Sequence, residues 1–402
     1  MSRYISLVAA LLSLSVVLFG CKTNSPLPVA EPQPVMPQSP QDPLATHLFK
    51  IRDGDNVIGE IQITRATKED TLSDIARRFN LGYDELVRAN PGVDPWIPGE
   101  GRQIILPTQF VLPDAPHEGL VVNLAALRVF YFPKPKPGEI QTVITHPIGI
   151  GKVGWTTPEG VTKVVSKRKD PVWTPPASVR KEHAEHGDPL PRVVPAGPDN
   201  PLGAFAMNLG WPGYLIHGTN KPYGVGMRSS HGCLRFYPED IALLYSEIAI
   251  GTKVQVVNQR VVSGWHDGKF YVQVMPPAEE ELGQQKTSPA GRPPVNEAMF
   301  VTLSRQAEQA GVKVDVDQVR LLIQQQTGVT TPVSTGQTQA QYLAGARRVE
   351  NRVPAGATWN GSKELLVSAE EFSAMRDGTI LPRQPEVKPV TGSKSVIKKQ
   401  GT

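Results

Sequence analysis

One cysteine, two histidines and an arginine stand close together near the middle of this 402-residue chain. The stretch SSHGCLRF, residues 229–236, holds Cys233, and His217 lies sixteen residues upstream in YLIHGTN. A structural cysteine sits among apolar neighbours. This one sits at a Ser-Ser-His-Gly turn. A thiol attacks a carbonyl as thiolate, and an unperturbed cysteine is mostly protonated at neutral pH. It therefore needs a base or a positive field within hydrogen-bond reach. His217 ends an apolar run that meets Gly218, which is how a rigid strand presents a side chain at its edge. His231 stands two residues before Cys233 and, in an extended stretch, points to the same side. Gly232 permits a tight turn, and its N–H and that of Cys233 are placed to face a developing oxyanion. On the residues alone three readings stay open. The first is a Cys–His acyl-transfer site. The second is a zinc site from His217, His231 and Cys233, for which no fourth ligand has local spacing. The third is an inert cysteine beside unrelated histidines.

The elements that must position these residues run from Glu118 to Asn258. LVVNLAALRVFYF, TVITHPIGIG, GVTKVVSKR, GAFAMNLG, YLIHGT and GTKVQVVN are short apolar or alternating runs broken by Gly and Pro, and predict strands. One amphipathic helix is predicted over Pro238–Ile248, with Ile241, Leu244, Tyr245 and Ile248 on one face. Asp170–Pro201 is proline-rich with little periodicity and reads as a loop; loops of that length in a compact domain are usually functional.

Upstream lies a smaller module, residues 47–110. Thr71 is placed to cap a helix carrying Leu72, Ile75, Ala76 and Phe79, Gly82 breaks it, and a second short helix carries Leu86, Val87 and Asn90. Pro98 and Gly99 turn the chain into a strand, Gln103–Leu106. This strand–helix–helix–strand order resembles the LysM module through Asp70-Thr71-Leu72, Ile75-Ala76, Ala89-Asn90-Pro91 and Ile104–Pro107. That resemblance implies binding of N-acetylglucosamine polymers such as peptidoglycan glycan.

The N-terminus, residues 1–21, has one arginine and an uncharged apolar run from Tyr4 to Phe19, which suits an export signal better than a membrane span. Leu18-Phe19-Gly20-Cys21 resembles the bacterial lipoprotein cleavage box, implying a lipidated Cys21 and a membrane anchor facing the periplasm. Lys22 after it resembles outer-membrane sorting. Residues 22–46 carry seven prolines and read as an extended tether, reaching roughly 70 Å at about 3.1 Å per residue. Residues 259–402 read as a partly helical, partly disordered tail. Helices are predicted over Asn296–Ala310 and Asp315–Gln326, the second with Asp315 and Gln318 as a capping box. A net charge of +4 is too weak to argue for nucleic acid.

HGTNKPYGVGMRSSHGCLRF resembles the signature of the YkuD-type L,D-transpeptidases. The likeness extends over residues 117–258 through PIGIG, TTPEG, WTPPASVRKEH and VPAGPDNPLG, nearest the ErfK/YbiS group. It implies a mainly β sandwich of mixed sheets with one helix, preceded by the small α/β LysM domain and followed by an irregular tail. It implies Cys233 as nucleophile and His217 as general base, with no metal or cofactor. Gly218 would orient a histidine through its carbonyl, and His231, Gly232 and Ser230 would support the site. Arg235 would hold the loop or a substrate carboxylate. The implied reaction forms a thioester with the diaminopimelate of a peptidoglycan tetrapeptide stem, releases D-alanine, and passes the acyl group to an amine. The group favours a lysine of an envelope lipoprotein as acceptor. A second stem (a 3→3 crosslink), water, or a non-catalytic tethering role are the alternatives.

Overall fold

The computed structural model describes residues 48–277, 297–309 and 311–353. The signal segment, the tether with Cys21 and the basic C-terminus lie outside the described residues.

A nine-stranded mixed sheet dominates, in the order 48–50, 142–147, 128–132, 119–123, 253–257, 160–169, 205–209, 215–217, 234–235. Its curl comes from one ten-residue strand, Gly160–Lys169. The first four residues of that strand pair with Lys253–Val256, and Val164–Lys169 pair with Phe205–Leu209, with a register shift between Val164 and Ser166. A bulge of this kind bends a strand and lets one sheet turn into another layer. One amphipathic helix is predicted over Pro238–Ile248, and α4 (Pro238–Glu247) forms it, packing Ile241 and Leu244 onto Leu120, Val122, Val129, Met207, Ile216 and Leu234.

LVVNLAALRVFYF is apolar at nearly every position because its hairpin is covered on both faces. Leu120, Val122 and Val129 face the core of the larger domain, while Val121, Phe130 and Phe132 face the upstream module. That module has the predicted order: strand Gln62–Arg65, helices α1 (Leu72–Arg78) and α2 (Tyr83–Ala89), and strand Gln103–Leu106 paired antiparallel with the first. Thr71 caps α1 in a full capping box with Asp74, satisfying two otherwise orphaned donors. Leu72, Ile75, Phe79, Leu86 and Ile104 then share one core with Val121, Phe130 and Phe132. The joint also carries buried charge. Arg128 donates to Glu85 at 2.6 Å, and Arg77 donates to Glu239 at 2.8 Å. Asn80 donates to Asp240 at 2.6 Å, and His146 lies 3.0 Å from the same carboxylate.

Two features differ from the sequence reading. The span from Glu118 to Asn258 holds a second helix, α3 (Ala177–Glu185), inside the segment predicted to be loop. Its sequence ASVRKEHAE is polar nearly all round, and only Val179 is buried, so no apolar stripe betrays it. The region after Asn258 is also more ordered than a tail with two helices. Val261–His266 and Lys269–Val274 form a hairpin joined by Thr331–Pro332, and α5 (Glu297–Gln309) and α6 (Val316–Gln325) pack on it. Asp267-Gly268 between alternating runs is the hairpin signal; both residues have positive φ, 46° and 70°. Arg347–Arg348 then pairs parallel with Gln62–Ile63, returning the chain to the edge of the upstream module.

Candidate active site

Strands Leu215–His217 and Leu234–Arg235 run parallel, with Ile216 opposite Leu234 and His217 opposite Arg235. Ile216 and Leu234 are 0% and 1% exposed in the core. Side chains alternate along a strand, so Leu215, His217 and Arg235 project the other way. They line a cavity of about 560 Å³ together with Cys233. The structure thus brings His217 and Cys233 to the lining of one cavity.

The turn before the strand is built by side chains. Ser230 Oγ donates to the Cys233 carbonyl at 2.7 Å and accepts the Gly232 N–H at 3.2 Å. Thr157 Oγ1 donates to the Gly232 carbonyl at 2.9 Å. Gly232 has φ of 101°, and a Cβ there would lie 2.9 Å from the Tyr214 ring. Only glycine fits. Because Ser230 takes the Gly232 N–H, that donor is not turned to the cavity as the sequence reading expected.

His217 is buried, and its Nδ1 lies 2.6 Å from the Gly218 carbonyl. A carbonyl only accepts, so Nδ1 carries the proton and Nε2 is the basic atom. The Gly218 carbonyl thus holds the His217 ring through Nδ1. Burial drives the His217 imidazole down to about 3, with the Arg235 cation adding to the shift and the Gly218 bond opposing it. Burial also pushes the Cys233 thiol up, against a backbone hydrogen bond and the Arg235 cation. At neutral pH the resting pair is thiol and neutral imidazole.

His231 also lines the cavity, but the positive φ at Gly232 breaks the extended geometry that would align it with Cys233. It lies 3.2 Å from Glu182 of α3 and meets the Trp155 ring edge-on at 4.7 Å. Glu182 also pairs with Lys152. Burial takes His231 down to about 4, assisted by Lys152 and opposed by Glu182. These contacts hold the segment 170–201 over the cavity, and that segment is closed on itself. Trp173 and Val194 exchange backbone hydrogen bonds of 2.9 and 2.8 Å, and Asn200 donates to the Pro171 carbonyl at 2.8 Å. Thr157, Lys152 and Glu182 escaped the sequence reading. Lys152 follows PIGIG directly, and Glu182 lies within WTPPASVRKEH, so the strings were visible but not the pairing. The zinc reading finds no support in the geometry. Among the described residues, the trio with ligand atoms within 4.8 Å of one another is Asp55, His266 and Asp267, not His217, His231 and Cys233.

Comparison with known proteins assigns the two modules. Residues 117–256 match the family model of the YkuD L,D-transpeptidase catalytic domain, and residues 65–107 match that of the LysM domain. A protein described as a probable L,D-transpeptidase, YbiS of Escherichia coli strain K12, is 39% identical over 273 residues, covering 67% of this chain and 85% of that protein. The chain belongs to the YkuD family of L,D-transpeptidases. Two further Escherichia coli proteins so described are similar. YcfS is 45% identical over 53% of this chain and 67% of its own, and ErfK/SrfK is 35% identical over 71% and 90%. The solved catalytic domain of the Enterococcus faecium L,D-transpeptidase matches 36% of this chain and all of that chain, at 24% identity and a TM-score of 0.26. In this L,D-transpeptidase the LysM module touches the wall of the site. Gly226 approaches Gly82 so closely that a Cβ would lie 2.2 Å from the Gly82 Cα. Tyr83 packs on Met227, which lines the cavity.

Proposed function

We propose that this L,D-transpeptidase works through a Cys233 thioester, with His217 as general base. The observation that carries the reading is His217 at the Cys233 cavity with Nδ1 committed to Gly218, which leaves Nε2 as the basic atom. Nε2 takes the thiol proton as Sγ attacks the carbonyl of the diaminopimelate L-centre, the third residue of the stem. The Cys233 N–H faces the developing oxyanion. Nε2 returns the proton to the departing nitrogen, the C–N bond breaks, and D-alanine leaves. An amine then attacks the thioester, its proton passes through Nε2 to the departing sulfur, and a new amide forms. No ATP is consumed, because the thioester keeps the acyl group activated. The segment 170–201 excludes competing water.

The resemblance to the ErfK/YbiS group favours a lysine of an envelope lipoprotein as acceptor, so that the reaction anchors a protein to peptidoglycan. A lipidated Cys21 would hold the enzyme at the periplasmic side of the outer membrane, and the LysM module would engage the glycan. The test expresses wild type and Cys233→Ala in cells lacking their own enzymes of this type. Muropeptides carrying a protein-derived lysine are expected with wild type alone. A rise of 3→3 dimers without lysine-bearing species would overturn the acceptor. An acyl adduct on the Cys233→Ala protein would overturn the nucleophile.

A further inference from the structure

Arg235 is a partly buried cation without an anion among the described residues. Its backbone is held on one side by two 2.8 Å hydrogen bonds with Gly149 and on the other by its register opposite His217. Gly224 makes room for the guanidinium: a Cβ there would lie 3.0 Å from Nη1. Its hydrogen bond is a long one, Nη1 to Ser229 Oγ at 3.4 Å, and Nε has no partner. Among the described residues no carboxylate forms an ion pair with Arg235, whereas Arg77, Arg78 and Arg128 each have one. Tyr223 stands beside it, and burial lifts that phenol to about 12, so it is neutral. Besides Lys152, which Glu182 answers, the cavity lining carries Arg168, Lys221 and Arg235 against one lining carboxylate, Asp188. A desolvated charge without a counter-charge is strongly unfavourable, and a ligand carboxylate would supply what the protein withholds.

We propose that Arg235 receives the free carboxylate of the residue that the reaction expels, and so restricts the donor to a stem ending one residue beyond the scissile bond. The inference rests on Cys233 being the nucleophile. Cys233 and Arg235 are two residues apart, Leu234 between them faces the core, and both line the cavity. With the scissile carbonyl at Sγ, the nearest anion in the donor is the terminal carboxylate, one Cα beyond the scissile nitrogen. The planar guanidinium fork matches it with two parallel hydrogen bonds. A stem longer by one residue would offer a neutral amide there instead. The side-chain carboxylate of diaminopimelate, several bonds further from Sγ, is the other possible source of the anion. Once the expelled residue carries its charge away, the remaining cation disfavours an ammonium, and the acceptor enters as a neutral amine.

The test compares wild type, Arg235→Gln and Arg235→Lys as full chains, after thermal unfolding shows each to be folded. Thioester formation is followed by mass spectrometry with three disaccharide-tetrapeptide donors: the free acid, its terminal carboxamide, and the form amidated on the diaminopimelate side chain. Wild type is expected to lose about 10²-fold on the terminal amide and little on the side-chain amide. Arg235→Gln is expected to treat acid and terminal amide alike, with the deficit mainly in KM, and Arg235→Lys to retain part of the preference. A preference for the acid that survives Arg235→Gln overturns the proposal, as does a wild-type enzyme sensitive only to the side-chain amide. Equilibrium binding of the same three peptides to Cys233→Ala, alone and with Arg235→Gln, reads the carboxylate contact without chemistry. Failure of thioester formation with discrimination preserved in binding would reject the nucleophile and keep the carboxylate receptor.

Discussion

Two regions of this molecule bury a histidine among charges, and they do it in opposite ways. At the joint between LysM module and catalytic domain, Arg128 meets Glu85, Arg77 meets Glu239, and His146 and Asn80 meet Asp240. Each pairing crosses the joint or secures its edge. In the cavity, His217 hydrogen-bonds a carbonyl and Arg235 faces no carboxylate among the described residues. Balanced charge marks a place that the chain itself completes; unbalanced charge marks a place completed by a ligand. The presence of a buried histidine therefore does not identify a site. The sum of its neighbours does.

The largest effect that could break this comparison is removal of the module. Deleting residues 64–107 uncovers Val121, Phe130, Phe132 and Val143 together with Arg128. The catalytic domain should then fail to unfold as one cooperative unit, and thiol acylation should fall with it. A deletion protein with a sharp thermal transition and normal acylation would show the two modules to be independent.

Next come the two arginines. Arg128 is 1% exposed, and Arg128→Ala leaves Glu85 buried without its cation. A loss of about 3–5 kcal/mol is expected in denaturant unfolding, while the folded fraction keeps its thiol chemistry. Arg235→Gln should do the reverse, sparing or raising stability while donor turnover falls. If both variants lose stability equally, the contrast between the two regions is wrong.

Acid separates the regions more gently. An unfolded histidine takes a proton near its ordinary 6.5, but burial keeps His217 neutral to about 3 and His231 to about 4. The unfolded chain therefore binds more protons in this window. The stability they contribute is complete above about 6.5 and is lost as pH falls towards 4, by up to about 1.4 kcal/mol per pH unit for each histidine. The denaturant midpoint should decline between pH 6.5 and 4 in wild type, and less steeply in His217→Gln with His231→Gln. An unchanged slope would place the acid sensitivity elsewhere. Smallest is Thr71→Ala, which removes the cap on α1 and should cost about 1 kcal/mol. A neutral result would mean that packing alone holds that helix start.

The carriers of the site were legible because they are local. Turn residues Ser230 and Gly232 and the strand alternation around Leu234 lie within a few positions of one another, and His217-Gly218 is a single step sixteen residues upstream of Cys233. The Thr71 capping box and the breaking Gly82 were legible for the same reason. Helix α3 was not, since a polar helix leaves no periodic trace. Nor was the latch from Glu182 to Lys152 and His231, whose members lie 30 and 49 residues apart.

By itself, then, the sequence determined the chemistry available: a thiol on a tight turn, an imidazole at a strand end, and two modules with their own short-range patterns. Tertiary structure alone decided which charges are answered. Whether Arg235 has a counter-ion and whether the LysM module supports the cavity wall depend on distances across the fold. Desolvation and Coulomb energy are sums over neighbours in space, and spacing along a chain does not contain them.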